Sequence, residues 1–277
     1  MMNTIRSTSL FLFFMKYRIL FITEWSVMLA YRSETLIWML GAFIQPLVSL
    51  AVWLSISNQK SIGGYDARDY MLYFFSIVLI ERLTRTWDVW ELDDSIREGT
   101  LSAKLLRPFH PIHWSMASNL VHKLFFAMIL IPSWFVLAWI FPILRLDLSW
   151  SEFGLTFVAI SLASMVRFFI GFGFGLLAFW TNRAISLYML YEGFHLLLAG
   201  RLAPLSMFPD WVADYAIWLP FYGTVGFPVE LLVGKLSGDS TAIAWGFISQ
   251  VSWTLIFYFI YRLEWKHGLK KYGAVGG

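Results

Sequence analysis

Six stretches of mostly apolar residues run through this 277-residue chain, and they restrict its fold more than any other feature. A helix that crosses a bilayer needs ~20 such residues. The chain is 58% hydrophobic and 14% charged, whereas a soluble domain is about 25% charged. The sequence therefore predicts an all-α integral membrane protein with one membrane domain over residues 1–277. The six predicted spans are Leu36–Ile56, Tyr70–Val89, Leu124–Leu144, Phe153–Trp180, Ala184–Gly200 and Ile243–Tyr261.

The second span, Tyr70–Val89, has a charged end. Its purely apolar part stops at Ile80, and Glu81, Arg82 and Arg85 follow. Glu81 and Arg85 are four residues apart, a spacing that allows an ion pair on one helix face. We expect this helix to run out of the membrane into water or against a partner.

Charged or titratable side chains lie deep in two other spans. Arg167 falls near the middle of the fourth span, and Glu192 and His195 share one face of the fifth. Such residues are costly in a bilayer and mark a pairing or a pathway. Three interpretations stay open: a structural pair between the two spans, part of a substrate path, and a proton relay or metal site. A metal needs three or four ligands, so we predict none.

The first span carries the remaining candidates for a substrate path. Gln45 and Pro46 predict a kink near a cavity or a partner. Trp38 and Trp53 flank the same span, where tryptophan is common at membrane boundaries. We consider Gln45, Trp38 and Trp53 as path candidates, with plain packing as the alternative.

The sequence offers no nucleotide-binding motif. Gly234-Lys235-Leu236-Ser237 lacks the first glycine and the hydroxyl of the phosphate-binding loop. The glycines Gly171, Gly173 and Gly175 lie inside a span, where small residues favour close helix packing. If this protein uses ATP, another subunit must bind it.

The stretch Glu91–Pro108 is too charged to enter a bilayer, yet it is patterned. Leu92, Ile96, Ala103 and Leu106 recur at near-helical spacing, and Gly99 predicts a break between two short helices. Asp93 and Asp94 predict a solvated helix start. An ordered polar element on one face of a membrane protein suggests a docking surface.

Two further regions predict helices that do not span. Residues 1–35 mix Lys and Arg with Phe and Leu, which predicts an interfacial helix before the first span. Residues 201–234 are divided by Pro204, Pro209, Pro220 and Pro228, so no piece is long enough to cross. Short re-entrant or interfacial helices fit this second region best.

The distribution of positive charge predicts the orientation. Six spans place both termini on one side, where fourteen Lys and Arg residues then fall, against five on the other side. Cytoplasmic loops carry the Lys and Arg excess. The termini and Glu91–Pro108 are therefore predicted to be cytoplasmic, and residues 201–234 extracellular.

The order of these features resembles the ABC-2 type permeases, and more narrowly their small six-span bacterial branch. The resemblance covers nearly the whole chain. It rests on Ile96-Arg97-Glu98-Gly99-Thr100-Leu101 and Leu105-Leu106-Arg107-Pro108, on Gly200 and the following Pro204-Leu205-Ser206-Met207-Phe208-Pro209, on Leu219-Pro220, Pro228 and Gly234, and on the tail Trp265–Tyr272.

This resemblance implies a permease subunit in the bacterial cytoplasmic membrane that binds no cofactor itself. A separate ATPase subunit would hold ATP and Mg²⁺ and would rest on a coupling helix within Glu91–Pro108. A second permease chain, identical or paralogous, would complete the pathway, without nucleic acid. An amphipathic or lipid-like substrate is expected to be exported. The implied ATPase-docking residues are Asp94, Ile96, Arg97, Glu98, Gly99, Leu101, Leu105 and Arg107.

Two other classes stay open on the residues alone. An ion-coupled secondary transporter or channel would use Arg167, Glu192 and His195 as its ion path and would need no ATPase. An intramembrane enzyme acting on lipid would depend on His195. The resemblance favours a transport subunit that is not itself an enzyme.

Overall fold

The computed structural model describes residues 2–57, 64–107 and 109–273, with side chains from Met15 onward except that of Asp210. These ranges are built from α-helices joined by turns and single 3₁₀ turns. The α-helices are α1 (Met2–Ala30), α2 (Arg32–Ser57), α3 (Ala67–Thr84), α4 (Asp88–Arg97), α5 (Leu101–Leu105), α6 (Pro111–Ile140), α7 (Trp150–Leu176), α8 (Ala184–Leu198), α9 (Asp210–Ala216), α10 (Gly226–Leu232) and α11 (Ser240–Lys271). The predicted all-helical class is confirmed for this part of the chain.

Four of the described helices are long and apolar enough to cross a membrane. They correspond to the predicted first, third, fourth and sixth spans. The second and fifth predicted spans become α3, with its charged end, and α8, which has only 15 residues. Six crossings therefore stay a prediction. The four segments are Arg32–Ile56, Pro111–Ile140, Trp150–Phe179 and Ser240–Lys271.

The third span differs from its predicted limits, Leu124–Leu144. The helix α6 begins at Pro111, a residue whose fixed φ suits the first helical position. The side chain of His110 caps it by accepting a hydrogen bond from the N–H of Ile112 at 3.2 Å. The predicted apolar span therefore covers only the later part of α6. The first turns of this helix are more polar, so hydropathy alone does not detect them.

The second span also differs from the prediction, Tyr70–Val89. Asp66 and Asp69 form a capping box that starts α3 early. The helix ends at Thr84, Arg85 adopts an extended backbone, and α4 begins separately at Asp88. Glu81 and Arg82 therefore lie in the last turn of α3, and Arg85 lies at the bend between α3 and α4.

The centre of the bundle forms where α3 packs against α2, α6, α7 and α10. Tyr70, Tyr73 and Phe74 of α3 are buried there. Their main apolar partners include Val229, from the short helix α10. The hydroxyl of Tyr73 donates to the carbonyl oxygen of Gly200 at 2.9 Å. This packing fixes the loop after α8 against α3.

Three glycines of α7 allow neighbouring elements to approach closely. A Cβ atom at Gly175 would lie 2.8 Å from Cβ of Leu92, which is closer than side chains tolerate. One at Gly171 would overlap Thr86, and one at Gly173 would lie 3.1 Å from a carboxylate oxygen of Glu264. The predicted role of this run in helix packing is confirmed.

Residues 201–234 fold into pieces of at most seven helical residues. Gly200 and Gly234 border the region with φ of +79° and +75°, a conformation that favours glycine. The helix α10 is buried along its whole length. The predicted division into short helices is confirmed, while the side of the membrane that they face stays a prediction.

The predicted interfacial region, residues 1–35, contains α1 and the first turn of α2, and Met1 lies outside the described residues. The two helices are separated only at Tyr31. The helix α1 packs against α6, where the hydroxyl of Tyr17 lies 2.5 Å from Nδ1 of His113. This contact attaches the N-terminal region to the start of the third span.

Candidate functional site

Four buried charges of alternating sign form a closed ring between three helices. The guanidinium of Arg167 on α7 lies 3.0 Å from the carboxylate of Glu81 on α3 and 3.3 Å from that of Glu192 on α8. Arg201, just after α8, closes the ring at 2.9 Å from Glu81 and 3.4 Å from Glu192. No side chain of the four is more than 13% exposed. We refer to these four residues as the charge ring.

Hydroxyl and imidazole groups surround the charge ring. The hydroxyl of Thr84 accepts from Arg167 at 3.3 Å, and that of Tyr188 donates to Glu192 at 3.1 Å. Buried charges need such additional hydrogen bonds, because paired charges alone do not repay their desolvation. The ring is therefore supported from α3 and from α8 itself.

His195 joins the ring through Arg201. Its Nδ1 lies 3.4 Å from Nη1 of Arg201, and its Nε2 lies 2.8 Å from the hydroxyl of Thr224. A guanidinium can only donate, so Nδ1 accepts and Nε2 carries the proton that is donated to Thr224. The hydroxyl of Thr224 can donate onward to the carbonyl of Phe221.

The sequence named three members of this site and missed two. Arg167 and Glu192 are in contact, and His195 contacts Arg201, which in turn contacts Glu192. Glu81 pairs with Arg167 and Arg201 rather than with Arg85. The guanidinium of Arg85 lies over the ring of Trp87 instead, 4.8 Å from its centroid.

The predicted docking segment, residues 91–108, is described except for Pro108. It consists of the end of α4, a turn, and α5. Gly99 has a φ of +75°, and the structure has the break between two short helices at this residue, as predicted. Leu92, Ile96 and Leu101 are at most 6% exposed and pack on Phe172 and other aromatic residues of α7.

The other face of the docking segment carries the exposed residues. Leu106 is 89% exposed and Leu105 37%. Ion pairs hold the segment in shape: Lys104 contacts Glu91 at 2.7 Å, and Arg97 contacts Asp93 at 2.9 Å. Of the predicted docking residues, those with exposed side chains are Asp94, Arg97, Glu98, Leu105 and Arg107, while Ile96 and Leu101 face the core.

Asp93 differs from its predicted role at a solvated helix start. The helix α4 begins earlier, at Asp88, and the side chain of Asp93 is only 3% exposed. Its pairing with Arg97 one turn later explains how the charge is kept at a buried position. Asp94 alone of the two lies in solvent.

Asp88 anchors the start of α4 to α6. Its carboxylate accepts from the side-chain amide of Asn119 at 2.7 Å and from the hydroxyl of Thr86. Burial raises the pKa of Asp88 to about 6, although these hydrogen bonds offset part of the effect. A buried carboxylate thus joins the docking segment to the third span.

The three path candidates of α2 contact other parts of the chain. The amide of Gln45 donates to the carbonyl oxygen of Arg201 at 2.9 Å, and the indole of Trp53 donates to that of Leu202 at 2.9 Å. The side chain of Trp38 is 59% exposed. Gln45 and Trp53 therefore hold the loop that carries Arg201, and of the three only Trp38 presents its ring to the surroundings.

Four described helices that are long and apolar enough to cross a membrane define a multi-pass membrane protein. A family model described as "ABC-2 family transporter protein" matches residues 36–276. This match covers most of the sequence, and the chain belongs to the ABC-2 transporter family. Such a permease is a membrane component of a transporter and not itself an enzyme, with ATP hydrolysis on partner subunits. A comparison with curated proteins gave no match.

Proposed function

We propose that this chain is the permease subunit of an ATP-driven exporter and that a separate ATPase subunit docks on the exposed face of residues 91–108. The substrate is amphipathic or lipid-like, because aromatic and aliphatic side chains dominate the helices. The ATPase binds ATP and Mg²⁺, and this chain binds neither. A second permease chain, identical or paralogous, completes the pathway.

One observation carries this proposal: the docking segment has two unlike faces. Leu92, Ile96 and Leu101 attach it to α7, which also carries Arg167 of the charge ring. Its opposite face presents exposed charges and the leucines Leu105 and Leu106. A surface that combines leucines with charged residues matches the apolar core and polar rim of a protein interface.

The packing supports a route from the ATPase to the ring. The close approach of Leu92 to Gly175 leaves no room for α4 to slide without moving α7. A push on α4 during ATP-driven closure therefore displaces Arg167 relative to Glu81 and Glu192. Because a charge ring of this kind has discrete pairings, it is suited to two alternating states of the pathway.

The topology that goes with this function has six crossings, by α2, α3, α6, α7, α8 and α11. Both termini and the docking segment lie in the cytoplasm, and residues 201–234 lie outside, in the bacterial cytoplasmic membrane. The support is the excess of Lys and Arg on the side of the termini.

An ion-coupled transporter is less well supported. Glu81 and Glu192 each contact two guanidinium groups, which leaves little capacity to bind a cation. An enzyme acting through His195 is also less well supported, because that side chain is fully buried between Arg201 and Thr224.

The proposal is tested by purifying the tagged chain in mild detergent and measuring ATPase activity and the ATPase subunit in the same sample. We expect the variant Glu98→Lys with Leu106→Glu to lose about tenfold or more of both, since charge reversal and a buried charge at an interface each cost several kcal/mol. Lys270→Glu, an exposed change on α11, serves as the control. Full activity in the first variant, or no ATPase with the wild type, contradicts the proposal.

A further inference from the structure

A groove of about 930 Å³ lies between the start of α6 and the end of α11, and its lining, among the residues described, includes no residue of the charge ring or the docking segment. Its volume is within the range of about 300–1,000 Å³ common for small-molecule sites. Phe169 of α7 forms part of its floor, with Tyr258 and Tyr261 of α11. The groove is only partly enclosed, so a ligand can enter it from the surface.

The rim of the groove is basic. Arg262 and Lys266 lie one turn apart on α11, and both are exposed. His110 and His113 face them from α6. The described residues that line the groove include no carboxylate. Glu264, between the two cations in sequence, lies instead beside Gly173 of α7.

The apolar part of the groove continues onto the outer surface of α11. Phe259 is 61% exposed and Leu263 is 58% exposed. Both belong to a helix that is apolar and long enough to cross a membrane. Long basic side chains near the end of such a helix reach the headgroup level while their stems lie along apolar surface. Cations thus lie above an apolar wall at the depth of the membrane interface.

We propose that this groove binds an anionic phospholipid of the leaflet on the side of the C-terminus. The phosphate contacts Arg262 and Lys266, and an acyl chain lies along Phe259 and Leu263. Basic pockets between membrane helices favour anionic headgroups, and guanidinium groups match the geometry of phosphate oxygens. A soluble anion would gain nothing from the apolar wall, and a second protein chain would need acidic groups facing this rim. The inference rests on the membrane location of α11 and not on the docking of an ATPase.

The experiment measures lipid binding to the purified full-length chain by native mass spectrometry and by thermal stabilisation in detergent. The added compounds are phosphatidylglycerol, phosphatidylcholine and inorganic phosphate. We expect phosphatidylglycerol to stay bound and to raise the melting temperature. The double variant Arg262→Gln with Lys266→Gln should bind it about thirtyfold more weakly, since two basic residues at about 1 kcal/mol each near an anionic surface correspond to this factor.

The control is Lys270→Gln with Lys271→Gln, which removes the same charge from the last turn of α11 outside the groove. We expect it to bind phosphatidylglycerol like the wild type. Equal losses in the two double variants would reduce the effect to net charge and overturn the proposal. Equal binding of phosphatidylcholine, or stabilisation by inorganic phosphate alone, would also overturn it. None of these outcomes depends on an ATPase subunit.

Discussion

The guanidinium Nε of Arg201 lies 2.9 Å from a carboxylate oxygen of Glu81, so the loop after α8 is held by charge to the end of α3. The other oxygen of Glu81 contacts Arg167 at 3.0 Å. Glu192 makes the two longer contacts of the ring, at 3.3 and 3.4 Å. Glu81 therefore makes the two shortest contacts of the ring.

The first prediction follows from this difference. Glu81→Gln removes the negative charge that pairs with both guanidinium groups and replaces one of the two acceptor oxygens by a donor, and breaking a buried ion pair costs about 3–5 kcal/mol. We expect Glu192→Gln to cost less, because its contacts are longer and its side chain is more exposed, at 13% against 9%. The melting temperature of each purified variant in the same detergent measures the order.

A double-mutant cycle separates pairing from general damage. We expect Glu81→Gln and Arg167→Gln together to cost clearly less than the sum of the two single changes, since residues of one buried network couple by about 0.5–3 kcal/mol. Additive losses would mean that the two side chains act independently. Arg145→Gln, on an exposed side chain outside the ring, is the neutral reference.

The second prediction concerns the contact between α4 and α7. Gly175→Ala places a Cβ atom 2.8 Å from Cβ of Leu92 and 3.2 Å from the backbone of Val89. Such overpacking costs about 1–3 kcal/mol, and it should reduce the yield of transport per ATP by moving the docking segment away from α7. Melting temperature and transport in proteoliposomes measure the two effects.

Gly154 provides the matched control on the same helix. A Cβ atom there meets nothing within 4 Å. We expect Gly154→Ala to be neutral or to stabilise by up to about 1 kcal/mol, which is the difference in helix propensity. Similar losses in both variants would show that the effect comes from the helix and not from the contact with α4.

The third prediction is a dependence of stability on pH through Asp88. Burial raises its pKa to about 6 in the folded chain, whereas an unfolded aspartate has a pKa of about 3.9. The folded state therefore binds this proton more tightly than the unfolded state does. The free energy of unfolding rises as the pH falls from about 7 to about 4, by about 1.4 kcal/mol for each unit of pKa difference. Above pH 6 the buried carboxylate is ionised, and this destabilises the folded state.

Asp88→Asn keeps the shape and removes the charge. We expect it to raise the melting temperature at pH 7.5 and to flatten the change between pH 7.5 and pH 5 relative to the wild type. The amide oxygen of asparagine can take the place of the carboxylate oxygen Oδ2, which accepts from both Asn119 and Thr86. Parallel profiles of variant and wild type over this range would contradict the raised pKa. Asp94→Asn, on the exposed side of α4, controls for the loss of one charge.

Much of the helical architecture follows from local properties of the sequence. The spans α2 and α11 are visible because their apolar runs are long enough by themselves. Gly99 and the prolines after Gly200 mark breaks that depend only on backbone chemistry. The limits of α3 and α6 are harder to place, because a capping box at Asp66 and a cap at His110 extend helices beyond their apolar parts.

The charge ring could be predicted only in part because its pairings are between distant residues. Arg167 and Glu192 are conspicuous inside apolar segments. Glu81 has a suitable partner four residues away in Arg85, and local spacing alone prefers that pair. Arg201 lies in a loop whose position depends on Tyr73 and Gln45. The available signal is charge balance: a buried arginine and a buried glutamate each require partners, so charges at the ends of spans should be considered with those inside.

The last prediction tests the orientation on which the docking proposal depends. The chain contains no cysteine, so single cysteines can be introduced without background. Ala103 of α5 and Thr241 at the start of α11 are both exposed. We expect Ala103→Cys to react with a membrane-impermeant maleimide only after permeabilisation, and Thr241→Cys to react in intact cells. The opposite pattern would place residues 91–107 outside, where no ATPase could reach them. If both cysteines react in intact cells, the number of crossings between α5 and α11 is even, and α8, the shortest of the three proposed crossings between them, must be reassigned.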